Sequence, residues 1–574
     1  MRVERRRKVL ARMLTLLLGL AAAACEQTGS LGPSPSPQPG PTGPTYYVDN
    51  CVVVGSDSNS GTSPSAPWLT IHKVNTSKFN PGDSILFEST CTWREQLTVP
   101  SSGSAGSPIT FGAYGTGAQP IISGADPLTS WASEPPWYYA PVAAQPNQVF
   151  RDNKRLTLAA SKAALATGQW WWDSANKRVY VYDDPSGHTI EASERDYAIY
   201  GYSVPYVTIS GLETDKANGP GGILCNTCNG LLVRGVTALW NFTDGVVVPS
   251  STGAVVTQST AAYNGSDGFN SVSSPGILFD HVVTHDNAEL TVTDYTAGIH
   301  LFGSGTSPNG TVQYSQSYNN GVGQPDWRGL GIWADTIGSG FTAKYNLVYG
   351  NNLEGIRAEA DTSISILYNV VYGTQTQSGY VSRGIDLAAD NASYTMSNSL
   401  VAGNTVYGTP EQGLSVNGPG IAGGCVNNSV ENNIIVGSGA QALGIFGGCE
   451  NPGTNGSGNV YTYNDFGPAT ASWIMWATGN FYSTYAAWET AYCGTTGCSH
   501  SVQADPQFVN TSASQFWLAS GSPAIDAGTN LGSPYNIGLL PGSSWPNSVL
   551  TGDQNSYGTG WEVGAYIFTG QTVQ

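Results

Sequence analysis

The stretch "GIWADTIGSGFTAKYNLVYGNNLEGIRAEADTSISILYNVVYG", residues 331–373, contains one pattern twice. Gly-Ile-Trp-Ala-Asp at 331–335 returns as Gly-Ile-Arg-Ala-Glu at 355–359. Tyr-Asn-Leu-Val-Tyr-Gly at 345–350 returns as Tyr-Asn-Val-Val-Tyr-Gly at 368–373. A repeat of this length, with several short β-branched runs and no helical periodicity, is typical of a parallel β-solenoid, in which each turn stacks on the last.

The pattern extends over about residues 200–450, where a Gly before an apolar residue recurs eight times. The spacings are 23, 30, 33, 24, 29, 29 and 31 residues, and the pairs are Gly245-Val246, Gly268-Phe269, Gly298-Ile299, Gly331-Ile332, Gly355-Ile356, Gly384-Ile385, Gly413-Leu414 and Gly444-Ile445. The longer spacings indicate loops inserted between strands. A second column, Asn346, Asn369, Asn404 and Asn433, predicts a buried amide ladder that satisfies the bend backbone.

Composition supports one long repeat array over several separate domains. Glycine contributes 72 of 574 residues, and charged residues are 11% of the chain, against about 25% in ordinary globular domains. With 40% hydrophobic residues there is enough apolar material for a long core. The predicted fold class is therefore all-β.

The N-terminus predicts export. Residues 1–24 combine a basic start with an apolar run too short to span a membrane, as signal peptides do. Ala-Ala-Ala-Cys at 22–25 resembles a bacterial lipoprotein box, which would make Cys25 the lipidated N-terminus, and the Pro-rich residues 25–45 then form a tether. We expect a cell-envelope lipoprotein at the outer membrane or cell surface, anchored through Cys25, with simple secretion as the alternative.

The predicted mature chain is strongly acidic. Removing the signal takes away six basic residues and one acid, which leaves 16 basic and 39 acidic side chains and a formal charge of −23. That balance argues against nucleic acid and strongly polyanionic substrates. An acidic surface that merely keeps an exported protein soluble fits equally well.

Eight cysteines follow Cys25, and an exported chain permits disulfides. Their spacing suggests four pairs: Cys51 with Cys91, Cys225 with Cys228, Cys425 with Cys449, and Cys493 with Cys498. For Cys225 and Cys228 a pair of free thiols is the alternative to a disulfide. Zinc or redox chemistry has weaker support, because no second Cys-x-x-Cys motif or His cluster accompanies them.

Motifs at both ends resemble those of bacterial right-handed parallel β-helix proteins. They are "YYVDNCVVVGSDSNSGTSPSAPWLTIHKVN" and "FNPGDSILFESTCTWREQLTVPSSGSAGSPITFGAYG" near the start, and "ADPQFVN", "SPAIDAGT" and "WEVGAY" near the end. The resemblance implies a pectate-lyase-like solenoid with a cap and first turns at 46–125, a core at 201–450, and C-terminal turns and a cap at 451–574. Residues 126–200 interrupt the repeat and predict a small inserted β-rich subdomain, which in related carbohydrate enzymes often walls the cleft.

The alternation of side chains along a strand identifies a candidate site. If Ile332 and Ile356 point inward, the residues two and four after each Gly point outward. The first column is then His300, Trp333, Arg357 and Asp386, and the second is Phe302, Asp335, Glu359 and Ala388. Two carboxylates on adjacent strands, about 4.8 Å apart, repel one another, so the pKa of at least one should rise.

A retaining glycosidase needs such a pair, with carboxyl groups about 5–5.5 Å apart. The segment "GIWAD…NLVYGN…E" also resembles the β-helix β-xylosidases of glycoside hydrolase family 120. That resemblance implies Asp335 as nucleophile and Glu359 as acid/base. The chain departs from the family after Glu359, where "ADTS" replaces a His-Gly-Pro stretch, and this leaves the substrate open.

Several neighbours complete the predicted site. His300, Trp333, Arg357, Asp386 and the loop residue Trp327 are expected to bind substrate. No cofactor or metal is expected, since His281, His285 and Asp286 offer no third ligand of clear geometry. Asp244 and Asp267 are explained as Asp-Gly turn residues.

Three functions remain open at this stage. The first is an exported, monomeric retaining glycoside hydrolase that acts on a plant-type, perhaps xylan-derived, polysaccharide or oligosaccharide. The second is a polysaccharide lyase on uronate polymers, which would use a Lys, Arg or His base and often Ca²⁺. The third is a non-catalytic surface β-helix that binds glycans.

Overall fold

The predicted repeats each contribute strands to three long parallel sheets. The computed structural model describes residues 42–570 except 291–294, 360, 390–392, 451–455, 471–472, 478 and 491–499. The predicted signal peptide, Cys25, nearly all of the tether, Cys493 and Cys498 lie outside the described residues. Each solenoid turn passes through the three sheets in succession, so consecutive strands of one sheet come from consecutive turns.

Sheet 1 contains 13 strands in this order: Thr45–Val48, Ser84–Glu88, Ile109–Tyr114, Val207–Ser210, Leu232–Arg234, Val255–Thr257, Leu278–Asp280, Thr311–Gln313, Thr342–Lys344, Ser365–Leu367, Leu400–Ala402, Ser429–Glu431 and Val460–Thr462. Sheet 3 contains 11: Thr92–Trp93, Ile121–Ser123, Glu213–Asp215, Thr237–Leu239, Thr260–Ala262, Val283–His285, Gln316–Tyr318, Leu347–Tyr349, Val370–Tyr372, Thr405–Tyr407 and Ile434–Val436.

Sheet 2 carries the candidate site. Its 13 strands are Leu97–Thr98, Ile199–Tyr202, Gly221–Asn226, Asp244–Pro249, Phe269–Val272, Ala297–Phe302, Leu330–Asp335, Glu354–Glu359, Arg383–Ala388, Gln412–Asn417, Gln441–Phe446, Ile474–Trp476 and Phe481–Tyr482. The last two pair antiparallel, and the others pair in parallel. The predicted all-β parallel β-helix is confirmed.

The Gly-apolar alignment is correct for seven of its eight positions. Ile299 pairs with Ile332, Ile332 with Ile356, and Ile356 with Ile385, and all four are fully buried in the core. The last position is wrong by two residues, because Leu414 pairs with Leu443 and not with Ile445. Strand alternation has a period of two, so this slip preserves the inward direction and the pattern alone could not detect it.

The predicted asparagine ladder is present. Asn346 donates from its side-chain amide to Oδ1 of Asn369 at 2.9 Å, and the same bond continues through Asn404 and Asn433 to Asn464. A second ladder escaped prediction and runs through Asn241, Asn264, Asn287, Asn320 and Asn351. It supports the bends that lead into the sheet 2 strands, so it holds the backbone on which the candidate site is built.

The inserted subdomain forms two small sheets. One contains Ala125–Pro127, Val149–Arg151, Lys154–Arg155 and Ile190–Ser193, and the other contains Ala132–Glu134, Trp137–Pro141, Thr157–Leu158, Gln169–Asp173 and Arg178–Val181. A buried ion pair joins the subdomain to the solenoid, since Nζ of Lys216 lies 2.6 Å from Oε2 of Glu191. The same ammonium donates to Oδ1 of Asn153 at 2.8 Å.

The N-terminal helix and the C-terminal segment pack against the solenoid at different places. The helix Ile71–Asn75 buries Ile71 and Val74 against the first turns. Near the C-terminus, aromatic side chains of the solenoid pack against the chain around Ile537, whose carbonyl accepts from Tyr345 Oη at 3.0 Å. The remaining elements are the helix Tyr485–Trp488, the 3₁₀ turns Lys162–Ala164, Thr511–Ala513 and Gln554–Ser556, a sheet of Met396–Ser397, Cys425–Val426 and Gly456–Ser457, and the hairpins Phe508–Asn510 with Gln515–Leu518 and Ile537–Leu539 with Thr551–Asp553.

Three of the four predicted cysteine pairs are disulfides: Cys51–Cys91, Cys225–Cys228 and Cys425–Cys449. The alternative of free thiols at Cys225 and Cys228 is therefore wrong. Within the described part of the chain, no helix has the length and apolar character needed to cross a membrane.

Candidate active site

Four neighbouring strands of sheet 2 bring most of the predicted site residues together. Register places His300 opposite Trp333, Trp333 opposite Arg357, and Arg357 opposite Asp386. This is the first outward column that alternation predicts.

The second column contains the predicted carboxylate pair. Asp335 lies directly opposite Glu359 on the next turn. Between each of these residues and the preceding outward one stands an inward alanine, Ala334 or Ala358, and both alanines are fully buried in the core. The two carboxyl-bearing side chains therefore leave the same face of adjacent strands, about 4.8 Å apart at the backbone.

Both carboxylates are much more buried than an outward position on a bare solenoid would be. Asp335 is 5% exposed and Glu359 is 1% exposed. The loop before the Asp335 strand covers Arg357, which lies two residues before Glu359, because its Trp327 ring is 4.7 Å from the Arg357 guanidinium. Tyr380 from the next inserted loop packs edge-on against Trp327 and donates to Oδ1 of Asp326 at 2.8 Å. The repeat pattern gives no information on how such insertions fold, so this cover was not predicted.

A histidine held between two carboxylates flanks the pair on one side. Nδ1 of His300 lies 3.2 Å from Oδ2 of Asp267, and its Nε2 lies 3.9 Å from Oδ2 of Asp335, which is ion-pair distance. Burial alone would lower the pKa of His300, but the facing carboxylates outweigh it and raise the pKa to about 10. The imidazolium also stacks on Trp333 with ring centres 4.8 Å apart. A cation therefore stands beside Asp335.

Asp267 is a site residue that sequence reasoning attributed to turn chemistry alone. Its Oδ1 accepts from the backbone N–H of Ala297 at 2.6 Å, and its Oδ2 faces His300. Asp244, one turn earlier, accepts from the backbone N–H of Asp267 at 3.0 Å. Burial and the charge of Asp267 raise the pKa of Asp244 to about 7. The His300 column could have revealed this partner, because Asp267 lies two residues before the strand Phe269–Val272, which precedes the His300 strand.

An arginine shared among carboxylates flanks the pair on the other side. Nε of Arg357 lies 3.3 Å from Oε2 of Glu359, and its NH1 contacts both Glu354, at 3.3 Å, and Asp386. Burial raises the pKa of Glu354 to about 7 despite the opposing charge of Arg357. The sequence placed Arg357 beside Trp333 by register, and the structure adds Trp327 over it from the covering loop.

Asp361 is a third carboxyl group near the pair that the sequence did not single out. Its Oδ1 accepts from the backbone N–H of Gly338 at 2.7 Å. Burial raises its pKa to about 7, and the charge of Asp335 acts in the same direction. Asp361 follows Glu359 by two residues within the departing "ADTS" segment, which was the available signal.

Buried polar atoms without a partner gather at this site. Among the described residues, Nε1 of Trp333, Nε2 of His300 and Oδ2 of Asp361 are buried and have no hydrogen-bond partner. Buried polar groups are normally satisfied, so unsatisfied ones next to a carboxylate pair are suited to contact a hydroxyl-rich ligand.

In the described part of the chain, donor atoms spaced closely enough to hold a metal ion lie away from this site. The one group of donor atoms with suitable spacing is Asp49, Cys51 and Cys91, and its two sulfurs are joined in a disulfide. His281 and His285 each contact the neighbouring aspartate, Asp280 and Asp286.

Known proteins resemble this chain mainly in fold. A family model described as a right-handed beta helix region matches residues 221–399. Lacto-N-biosidase of Bifidobacterium longum subsp. longum is 35% identical over 116 residues, which are 19% of this chain and only 7% of that protein.

Two solved structures share the architecture at low identity. The complex of XylC with xylose aligns with a TM-score of 0.55 and 15% identity, covering 68% of this chain and 75% of that one. A glycoside hydrolase aligns with a TM-score of 0.51 and 10% identity, covering 74% and 96%. The expected resemblance to β-helix carbohydrate-active proteins is thus confirmed at the level of fold: the chain contains a right-handed parallel β-helix.

Proposed function

We propose that this protein is a retaining glycoside hydrolase that cleaves a plant-type, xylan-derived polysaccharide or its oligosaccharides. The observation that carries the proposal is the direct register of Asp335 with Glu359 on adjacent turns, beside the His300 imidazolium. Adjacent strands are about 4.8 Å apart, and retaining enzymes hold their two carboxyl groups about 5–5.5 Å apart, which supports the proposal. We also propose that the protein is exported and that a lipid on Cys25 anchors it to the cell envelope.

In the proposed reaction Asp335 attacks the anomeric carbon and forms a glycosyl ester. Glu359 gives its proton to the glycosidic oxygen, which leaves as a hydroxyl group. Glu359 then takes a proton from water, the resulting hydroxide attacks the anomeric carbon, and Asp335 leaves as the carboxylate. His300 places a cation beside the Asp335 carboxylate, while the charge of Arg357 is already offset by Glu354 and Asp386.

The comparisons agree with a carbohydrate-active enzyme of this kind. XylC binds xylose in its complex, and the matched curated relative is a lacto-N-biosidase. These names support a sugar substrate for this chain, while the proposed xylan-derived substrate rests on the local resemblance around residues 331–359.

A lyase mechanism has less support in the geometry. β-Elimination needs a base to remove a proton and a cation to neutralise the uronate. His300 is held as a cation by Asp267 and Asp335, so it already carries the proton that a base would accept. Arg357 is engaged by three carboxylates, which leaves little of its charge for a substrate.

Product analysis tests the proposal. The mature protein is incubated with xylan oligosaccharides and, separately, with a uronate polymer, and the products are weighed by mass spectrometry. We expect products heavier by one water per cut from xylan oligosaccharides, lost in Asp335→Asn and kept in Asp184→Asn, an exposed aspartate in the inserted subdomain. Unsaturated products would replace the hydrolase with a lyase, and no products from either substrate would favour a binding protein.

A further inference from the structure

A cleft of about 760 Å³ lies between the inserted subdomain and the solenoid. Its volume is within the range of about 300–1,000 Å³ that small-ligand sites occupy. We call it the insert cleft. The subdomain contributes residues 145–148, 155–158 and Trp170, and the solenoid contributes Phe242, residues 286–290 and part of the loop 319–324.

The lining of the insert cleft combines amides, carboxyl groups and exposed apolar side chains. Leu158 and Val322 are 57% and 55% exposed although both are apolar. They stand on opposite walls, Leu158 on the subdomain and Val322 on the solenoid loop. The amides of Asn147 and Asn319 also line it. Apolar surfaces beside amides that both donate and accept suit the two kinds of surface that a sugar ring presents.

The charged groups of the cleft are fixed in place. Arg155 forms an ion pair with Glu289 and donates from Nε to Oε1 of Gln148 at 3.0 Å. Its NH2 donates to the carbonyl of Tyr263 at 3.0 Å. Among the lining residues there is this one cation against two carboxyl groups, Glu289 and Asp286. The cleft therefore offers no excess positive charge to a uronate and favours a neutral ligand.

One loop links the insert cleft to the candidate active site. Val322 and Gln324 line the cleft, and Trp327, three residues further on, lies over Arg357. Gln324 is anchored at the cleft wall, because its Nε2 donates to the carbonyl of Glu289 at 3.0 Å. Its own carbonyl accepts from Gln377 Nε2 in the loop that carries Tyr380. A ligand in the cleft would therefore contact the same loop whose Trp327 lies over Arg357.

We infer that the insert cleft binds the distal sugar units of a neutral oligosaccharide whose reacting unit lies at Asp335 and Glu359. The inference rests on the proposed function for the position of the cleaved bond. The inserted subdomain would then recognise the length of the oligosaccharide. Leu158 and Val322 would be the ligand contacts most exposed to solvent.

Binding measurements on an inactive background test this inference. Calorimetric titration of the Asp335→Asn protein with xylobiose and xylohexaose should show tighter binding of the longer ligand. Adding Leu158→Ala and Val322→Ala removes two exposed side chains without disturbing the core, and should weaken xylohexaose binding by about fivefold or more toward the xylobiose value. The matched control is Val509→Ala with Leu550→Ala, two exposed apolar residues (45% and 46%) outside the cleft lining, which should change neither affinity.

The outcomes separate this inference from the proposed hydrolase. If the cleft variant binds xylohexaose as tightly as its parent, the inference fails, whether or not the unaltered protein cleaves xylan. If length-dependent binding is lost in the cleft variant but no hydrolysis is ever seen, the inference stands and the proposed reaction fails. Tighter binding of hexagalacturonate than of xylohexaose would overturn the neutral-ligand assignment.

Discussion

Replacing Asp267 with Asn should lower the pKa of His300 and with it the stability of the protein at neutral pH. The substitution preserves shape, and the new side-chain oxygen can still accept from the Ala297 N–H. It removes one of the two carboxylates that face the imidazole, at 3.2 Å, and leaves Asp335 at 3.9 Å. Burial, which disfavours the imidazolium, is then opposed by a single and more distant charge.

The magnitude follows from the pKa of His300. A rise from 6.5 to about 10, at about 1.4 kcal/mol per pH unit, corresponds to a stabilisation on the order of 5 kcal/mol. Because the folded pKa is the higher one, this stabilisation is complete below about pH 6.5 and is lost as pH rises toward 10. Losing Asp267 should lower the folded pKa by about two units and remove about 3 kcal/mol at neutral pH.

Two measurements check this prediction. The chain contains six histidines, few enough for their ring nitrogens to be titrated individually by NMR, and urea unfolding at several pH values gives the free energy. Asp280→Asn is the control, since it removes the partner of the half-exposed His281 and should leave His300 unchanged. A His300 that titrates near 6.5 in the unaltered protein, or that ignores Asp267→Asn, would refute the reasoning.

Three further predictions address the ladder, the proton donor and the cap. Asn369→Ala breaks a buried amide ladder and should lower the free energy of unfolding, measured in urea, by about 2–3 kcal/mol. The exposed Asn176→Ala should lower it by less than about 0.5 kcal/mol. Equal losses would mean that the ladder does not stabilise the fold. Glu359→Gln should abolish cleavage of unactivated xylosides. With aryl xylosides that carry good leaving groups it should keep the first step and slow the second, which shows as a burst of released phenol, because Glu359 is also the base of the second step. Asp361→Asn should affect both classes mildly; the reverse pattern would make Asp361 the acid. Removing the Cys51–Cys91 disulfide, whose cysteines are 40 residues apart, should cost about 4 kcal/mol, and an unchanged melting temperature would contradict this.

The sequence is sufficient to predict the fold and the outward direction of the site residues, because both depend on the period of the repeat and of strand alternation. Gly-Ile-Trp-Ala-Asp and Gly-Ile-Arg-Ala-Glu set the register of Asp335 on Glu359, and alternation set their outward direction. Where the repeat period carries no information, no prediction can be made from it. At Gly444 the predicted register is wrong by two residues. An error of two leaves the same side chains pointing inward, so the pattern cannot reveal it.

Contacts made by inserted loops could not be derived from the repeat. The sequence predicts Trp327 near the site, but its position over Arg357 depends on how its loop folds back. Asp267 was interpreted as a turn residue because Asp-Gly is common in turns. Its contact with His300 can be inferred only by combining the register of the first outward column, which contains His300, with the position of Asp267 just before the neighbouring strand.

Trapping the covalent intermediate tests the central claim most directly. The mature protein is incubated with a 2-deoxy-2-fluoro-xylosyl fluoride, digested, and its peptides are sequenced by mass spectrometry. The account predicts one fluoroxylosyl group, attached to Asp335. A label on another carboxylate, or xylan hydrolysis with inversion and no label, would contradict the assignment of Asp335 as the nucleophile of a retaining enzyme.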